Sequence, residues 1–206
     1  MRLNVSASKE MAKRRFGVYE PIVSEFLDQS LSEGDTYVDI GSNKGYHVLD
    51  AAEMIGQSGK VYAFEPNHDN FVDLQYNLNL NGIDNVELRN EAVCDHDGEL
   101  FLQRGEASGH GKISMTGGDL RVDAVRFDSF LAEAGVDDVD VIKIDVEGAE
   151  KDVIRGMSNF LSDGHDCQII VEIHPDNVDI QSLTGLLSDL SVQFDIHEHG
   201  YWSIST

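Results

Sequence analysis

Cysteine, basic residues and long apolar runs are scarce in this sequence of 206 residues. Its two cysteines, Cys94 and Cys167, form no Cys-x-x-Cys and fall at the edges of predicted strands. That excludes a disulfide scaffold and fits a reduced, cytoplasmic protein. No run of about 18 apolar residues occurs, so no segment reads as a membrane span. The opening stretch, MRLNVSASKEMAKRRFG, has no apolar h-region, which argues against a secretory signal. Bases number 15 against 38 acids, for a net charge of −23. Such a surface repels nucleic acid phosphates, so nucleic acid is not the expected partner. Gly-x-Gly-x-x-Gly is also missing, so a dinucleotide is not the first expectation.

What is present is a chain long enough for a sizeable core, 41% hydrophobic, with a single domain as the natural size prior. Its acids are interleaved with regular apolar periodicity, which separates it from disordered acidic chains. Only seven lysines occur, and aspartate outnumbers glutamate. That balance resembles proteins of salt-loving organisms, whose carboxylates are tolerated when salt screens their repulsion.

The organising stretch is Val38-Asp39-Ile40-Gly41-Ser42-Asn43-Lys44-Gly45. An apolar run from Thr36 to Ile40 ends in a glycine turn, and helix spacing follows from Tyr46 to Ile55. Glycine turns the chain without a Cβ penalty and leaves bare amides facing a ligand. Lys60 to Phe64 predicts a second strand, ending in Glu65-Pro66. An acid there, 20 residues after Gly45, suits a ribose diol. Asn67 or Asp69 can cap a helix running to Asn81-Gly82. Val86 to Leu88 reads as a third strand, followed by a loop over Asn90-Glu91-Ala92-Val93.

Further along, Glu99 to Gln103 and Arg121 to Val125 read as strands, and Phe127 to Ala134 as a short helix. Residues 105–118 hold five glycines and no periodicity. They read as a mobile lid or substrate loop, because structureless lengths of that kind are uncommon in compact domains. Val139 to Ile144 is a buried strand ending in Asp145-Val146-Glu147-Gly148-Ala149-Glu150, with a helix through Leu161 after it. Cys167 to Ile173 is another, ending in His174-Pro175. A helix to Leu190 and a hairpin around His199-Gly200 complete the chain. At the other end, residues 18–31 have helix spacing, and residues 1–15 read as a solvated basic helix.

Alternating strands and helices predict a mostly parallel sheet with right-handed crossovers. Ligands of such sheets bind at the carboxyl ends of strands, where Asp39, Glu65, Asn90, Asp145 and His174 all fall. His174 beside Glu172 is the preferred general base, with Asp145 or Glu147 as orienter. These carboxylates and His174 could also hold a divalent cation. Glu147 or Glu150 at a helix start has a plainer role, and no obligatory metal is expected. His47, His68, His96 and His197 read as surface residues.

VDIGSNKG, VYAFEPN, Asn77 and Asn79, NEAV, VIKIDVEGAEKDVIRG and VEIHP, in this order over about Asp35 to Pro175, resemble the FkbM family of methyltransferases. KIDVEGAE is the most specific block. Ser42 and Lys44 depart from the family's usual Ala and apolar residue. The resemblance implies an α/β, Rossmann-like class I methyltransferase fold. Its sheet would be mostly parallel and seven-stranded with an antiparallel last strand, and helices would cover both faces. Residues 35–206 would be that domain, with 1–34 as an N-terminal helical segment. The resemblance also implies S-adenosylmethionine as donor and a hydroxyl acceptor on a sugar, lipid or natural product. Asp39, Gly41, Asn43 and Gly45 would surround the donor's methionine part, Glu65 its ribose, and Asn67 the adenosine. Glu91 and Ala92 would line the adenine face, and Asp145 and Glu147 would face sulfonium and acceptor. A homodimer is possible. The competing readings are a nicotinamide-dependent oxidoreductase and a non-catalytic binding module of the same fold.

Overall fold

A computed structural model describes residues 20–103, 112–114, 120–197 and 200–205. Helix α1 (Pro21–Ser30) opens with proline in its first turn, where the missing N–H costs nothing. Then come β1 (Thr36–Ile40), α2 (Tyr46–Ile55), β2 (Lys60–Phe64), α3 (His68–Asn81) and β3 (Val86–Arg89). The middle of the chain forms β4 (Glu91–Cys94), β5 (Gly98–Gln103), β6 (Lys112–Ser114), β7 (Leu120–Arg126) and α4 (Phe127–Ala134). The rest is β8 (Val141–Ile144), α5 (Glu150–Gly156), α6 (Ser158–Ser162), β9 (Gln168–Glu172), α7 (Ile180–Asp189), β10 (Gln193–Ile196) and β11 (Tyr201–Ser205).

Seven strands form the main sheet in the order β10-β11-β9-β8-β1-β2-β3. Neighbours pair in parallel except at β11, which runs antiparallel to both β9 and β10. The expected mixed sheet with an antiparallel last strand is therefore present. The period of two sorts side chains to opposite faces. Val38, Ile40, Ile142, Ile144, Ile169 and Val171 join one core with residues of α4, α5, α6 and α7. Tyr37, Val61, Ala63, Val141 and Ile170 join the other with α1, α2 and α3. Helices thus cover both faces, and the central strands β1 and β8 are largely apolar, with Asp39 and Lys143 the charged exceptions, as doubly covered strands largely are.

Four expectations are corrected. Glu91–Cys94 is a strand, not a loop; it starts a second sheet, β4-β7-β5-β6, with its own small core around Ala92, Cys94, Leu100 and Leu102. The local pattern could not show this, because β4 finds its partner β7 about thirty residues away. Part of the expected 105–118 loop, Lys112–Ser114, pairs antiparallel with β5; the rest lies outside the described residues, as do residues 1–15 and His199. The helix expected after Asp145 is broken at Met157 into α5 and α6. His47 is not a surface residue: it is 5% exposed, on the buried side of α2.

Candidate active site

The site is built at the carboxyl ends of β1, β8 and β9, where the chain must leave the sheet. After β1, Gly41 takes φ +88°, and a Cβ there would overlap the backbone oxygen of Asp145. The glycine therefore lets the first turn lie flush against the turn after β8. Gly45, at φ +85°, caps α2, where a Cβ would overlap the side chain of Leu74. Asn43 sits between them in the left-handed region at φ 49°, a conformation asparagine tolerates better than most residues.

Beneath the turn lies a buried charge cluster. Asp39 and Lys143 are register partners on neighbouring strands, so their side chains share a face. The Lys143 ammonium lies 3.5 Å from Asp39 Oδ1 and 3.3 Å from Asp145 Oδ2. Tyr37 donates its hydroxyl to Asp39 Oδ2 at 3.2 Å. Burial alone would lower the Lys143 pKa, but Asp39 and Asp145 outweigh it and hold the lysine protonated. Lys143 is thus a fixed cation rather than a base. It compensates two carboxylates that the fold would otherwise strand.

Glu65 follows β2 and is 5% exposed. Its Oε2 accepts the Asn43 amide at 2.7 Å, and its Oε1 accepts the Asn67 amide at 2.8 Å. Burial pushes its pKa up to about 7 despite these bonds. One carboxylate therefore ties the turn after β1 to the start of α3. Asn67 caps that helix as expected, accepting the amides of Asp69 and Asn70. Asn90 donates to the Glu65 and Pro66 carbonyls and closes the same edge.

His174 follows β9. Its Nδ1 donates to Glu150 at 2.7 Å. Its Nε2 faces the turn after β8, 3.5 Å from Glu147 and 3.9 Å from Asp145. Glu172 is also 3.9 Å from Nε2 and accepts the Tyr201 hydroxyl at 3.0 Å. The Glu150 hydrogen bond, with Glu147 and Asp145 behind it, pushes the His174 pKa up to about 9. Burial and Asp145 push Glu172 up to about 7. Ligand atoms of Asp145, Glu147 and His174 lie within 4.8 Å of one another, as do those of Glu20, Asp145 and Glu172, close enough to grip a cation.

Of the expected site residues, Gly41, Asn43, Asp145, Glu147 and His174 line one cavity of about 110 Å³. Asp39 meets the cavity through its ion pair with lining Lys143, Gly45 directly precedes lining Tyr46, and Glu65 joins lining Asn43 to Asn67. Glu91 and Ala92 do not reach the cavity: Glu91 is held by Arg89, and Ala92 is 2% exposed inside the second sheet's core. Glu20, Tyr46, His47 and Lys143 also line the cavity and were not foreseen. Lys143 left one signal, a lone charge inside an otherwise apolar strand. Glu20 left none; it comes to the site because His47 Nε2 binds its carboxylate at 2.6 Å.

The amides expected to be bare in the turn after β1 are bonded within the protein, those of Gly41 and Ser42 to the Phe64 carbonyl and that of Asn43 to Glu65. What suits a cationic donor with a ribose is the acidic cavity and the buried acid beside it, so these residues fit S-adenosylmethionine. The model for the methyltransferase FkbM domain matches residues 39–201. The hexuronic acid methyltransferase AglP of Haloferax volcanii is 30% identical over 197 residues, covering 95% of this chain and 79% of its own. The 2-O-methyltransferase NoeI of Sinorhizobium fredii is 28% identical over 146 residues, covering 61% of this chain and 58% of its own. Among solved structures, the FkbM methyltransferase of Methylobacillus flagellatus superposes with a TM-score of 0.59 at 16% identity. That match covers 84% of this chain and 44% of the other, and it bears on fold alone. The nicotinamide reading does not survive this agreement. The chain belongs to the FkbM family and is an S-adenosylmethionine-dependent methyltransferase of the class I fold.

Proposed function

We propose that the enzyme methylates a sugar hydroxyl, with a uronic acid residue as the leading acceptor. The carrying observation is His174 Nε2, set between Asp145, Glu147 and Glu172 beside the Gly41–Asn43 turn. When bound, S-adenosylmethionine would supply a methyl group on a positively charged sulfur, whose bond to that carbon would break with the electron pair kept by sulfur as a neutral thioether. In this reading Asp39, Gly41, Asn43 and Gly45 hold its methionine part and Glu65 accepts from its ribose hydroxyls. Asn67 lies near the adenosine. Neutral His174 takes the acceptor's hydroxyl proton at Nε2 as that oxygen forms its new bond to carbon. Asp145 and Glu147 orient the acceptor and favour the cationic donor electrostatically.

The names of AglP and NoeI support a saccharide acceptor. The acidic lining supports attack by the hydroxyl. A uronate carboxylate placed among Asp145, Glu147 and Glu172 would meet like charge, whereas a neutral hydroxyl would not. The product should therefore be an ether. Incubation with methyl-labelled S-adenosylmethionine and a set of glucuronosides should put label on a hydroxyl, stable to mild base, at a rate unchanged by EDTA. Base-labile label would mean an ester and would overturn the hydroxyl reading. Metal independence is expected because Lys143 already supplies a buried cation to the cluster.

The remaining features fit a reducing, salty cytoplasm. Cys94 and Cys167 are both free and buried. No helix among the described residues is long and apolar enough to cross a membrane. The net charge of −23 disfavours a nucleic acid partner and leaves homodimer formation open to sedimentation. Screening of that charge should raise Tm between low and molar KCl; a flat or falling Tm counts against salt adaptation.

A further inference from the structure

The most specific block of the sequence, KIDVEGAE, ends in a residue that the reaction scheme above does not use. Glu150 opens α5, where an acid in the first turn is favourable on dipole grounds alone. A dipole role, however, is satisfied by an exposed side chain. Glu150 is 0% exposed. Its Oε1 accepts the Gly148 amide at 3.1 Å and lies 2.7 Å from His174 Nδ1, 24 residues along the chain. Gly148 N–H can only donate, so that oxygen accepts it, and an ionised Glu150 carboxylate can only accept from Nδ1 as well. Glu150 Oε2 is buried and has no hydrogen-bond partner among the described residues, and the imidazole on Oε1 is the carboxylate's direct counter-group.

We propose that Glu150 is the positioning residue for His174: it holds the proton on Nδ1 and aims Nε2 into the cavity. The arrangement has a physical rationale. A neutral imidazole has two tautomers, and only the one protonated at Nδ1 presents a lone pair at Nε2. The nearest carboxylates to Nε2, Glu147 at 3.5 Å and Asp145 and Glu172 at 3.9 Å, are too far for strong hydrogen bonds. The single short contact is on the Nδ1 side, so the ring's orientation is set from behind rather than from within the site. Removing a partner from a buried, hydrogen-bonded pair disrupts it far more than removing an exposed one. The charged groups facing His174 are Asp145, Glu147 and Glu150 from the turn after β8 and Glu172 from β9, with Lys143 and Glu20 on the same cavity. Of the four acids around the ring, Glu150 is the one fully shielded from water and from any substrate.

The consequence for catalysis rests on the reading of His174 as base, but the positioning itself is tested without it. In ¹⁵N-histidine NMR of the wild type, with the His174 signals assigned by their loss in His174→Gln, Nδ1 should carry a slowly exchanging proton across the neutral range. Nε2 should be the nitrogen that loses its proton as pH rises. A proton retained on Nε2 instead overturns the proposal and needs no variant that might misfold. Glu150→Gln keeps shape and an acceptor oxygen but removes the charge; it should lower the His174 titration midpoint by a unit or more. Affinity for S-adenosylhomocysteine should stay within about twofold. An unchanged midpoint in folded Glu150→Gln also overturns the proposal. If the midpoint falls and the pH dependence of kcat/KM falls with it, positioning and base role both hold. If the midpoint falls while the pH–rate profile stays put, the positioning stands and a different group is the base.

Discussion

His174→Gln should lose activity by about 10²- to 10⁴-fold while S-adenosylhomocysteine binds almost as in the wild type. Glutamine occupies similar space and can still meet Glu150 with its amide, so the turn after β9 should stay folded. What it cannot do is take a proton. The pH dependence adds a second readout. Hydrogen bonding to Glu150 pushes the His174 pKa up to about 9 in the free enzyme. A base must be deprotonated to act, so kcat/KM should rise with pH and level off above about 9. A cationic donor beside the ring disfavours the imidazolium, so the corresponding midpoint in kcat should lie lower. Calorimetry and initial rates on the same preparation separate the two effects. A variant that keeps more than a tenth of wild-type kcat removes His174 from the chemistry and shifts attention to Glu172, whose pKa is raised to about 7.

Glu65→Ala should weaken S-adenosylhomocysteine by at least about a hundredfold, measured by titration calorimetry. Two hydrogen bonds from ribose hydroxyls to a charged acceptor are worth roughly 3 kcal/mol or more, and that difference is about two orders of magnitude in Kd. The same change leaves the Asn43 and Asn67 amides without their acceptor, so both turns loosen and the loss deepens. Glu65→Gln keeps one carbonyl acceptor and should lose less. The sign of the pH effect follows from burial. Burial raises the Glu65 pKa to about 7, and only the ionised form offers every acceptor position to the ribose. Affinity should therefore fall as pH drops through about 7, with proton release on binding just below that value. This folded-state pKa lies above the ordinary value. The buried charge therefore disfavours the free fold increasingly as pH rises past the ordinary value, until a ligand's hydroxyls compensate it. Affinity unchanged in a folded Glu65→Ala would place the ribose elsewhere.

Both predictions use residues legible in the sequence, for a common reason. In a parallel sheet each strand must end at the same edge, so polar residues that close apolar runs are brought together by topology rather than by sequence proximity. Asp39, Glu65, Asp145 and His174 could be picked out on that basis. The glycine turn was legible because Gly41 and Gly45 do something that only glycine can do. What stayed hidden depended on partners distant in the chain. β4 looked like a loop because its apolar residues, Ala92 to Cys94, are buried by β7 and α5, and nothing local announces either. His47 looked exposed because a lone histidine on an amphipathic helix has no periodic signature, and its neighbour Glu20 comes from before α1. The break at Met157 has no proline or glycine pair to mark it beyond Gly156 itself.

The sequence by itself determined the alternation of strand and helix, the polar caps at the strand ends and the identity of the family, because each is written in short-range pattern. The tertiary structure decided which way each polar side chain acts. Lys143 could have been a base, but it becomes a locked cation between Asp39 and Asp145. Glu150 could have been a helix-end acid, but it is buried behind His174. Burial and partner distance set proton affinity, and both are properties of the packed chain, not of the residues in a row.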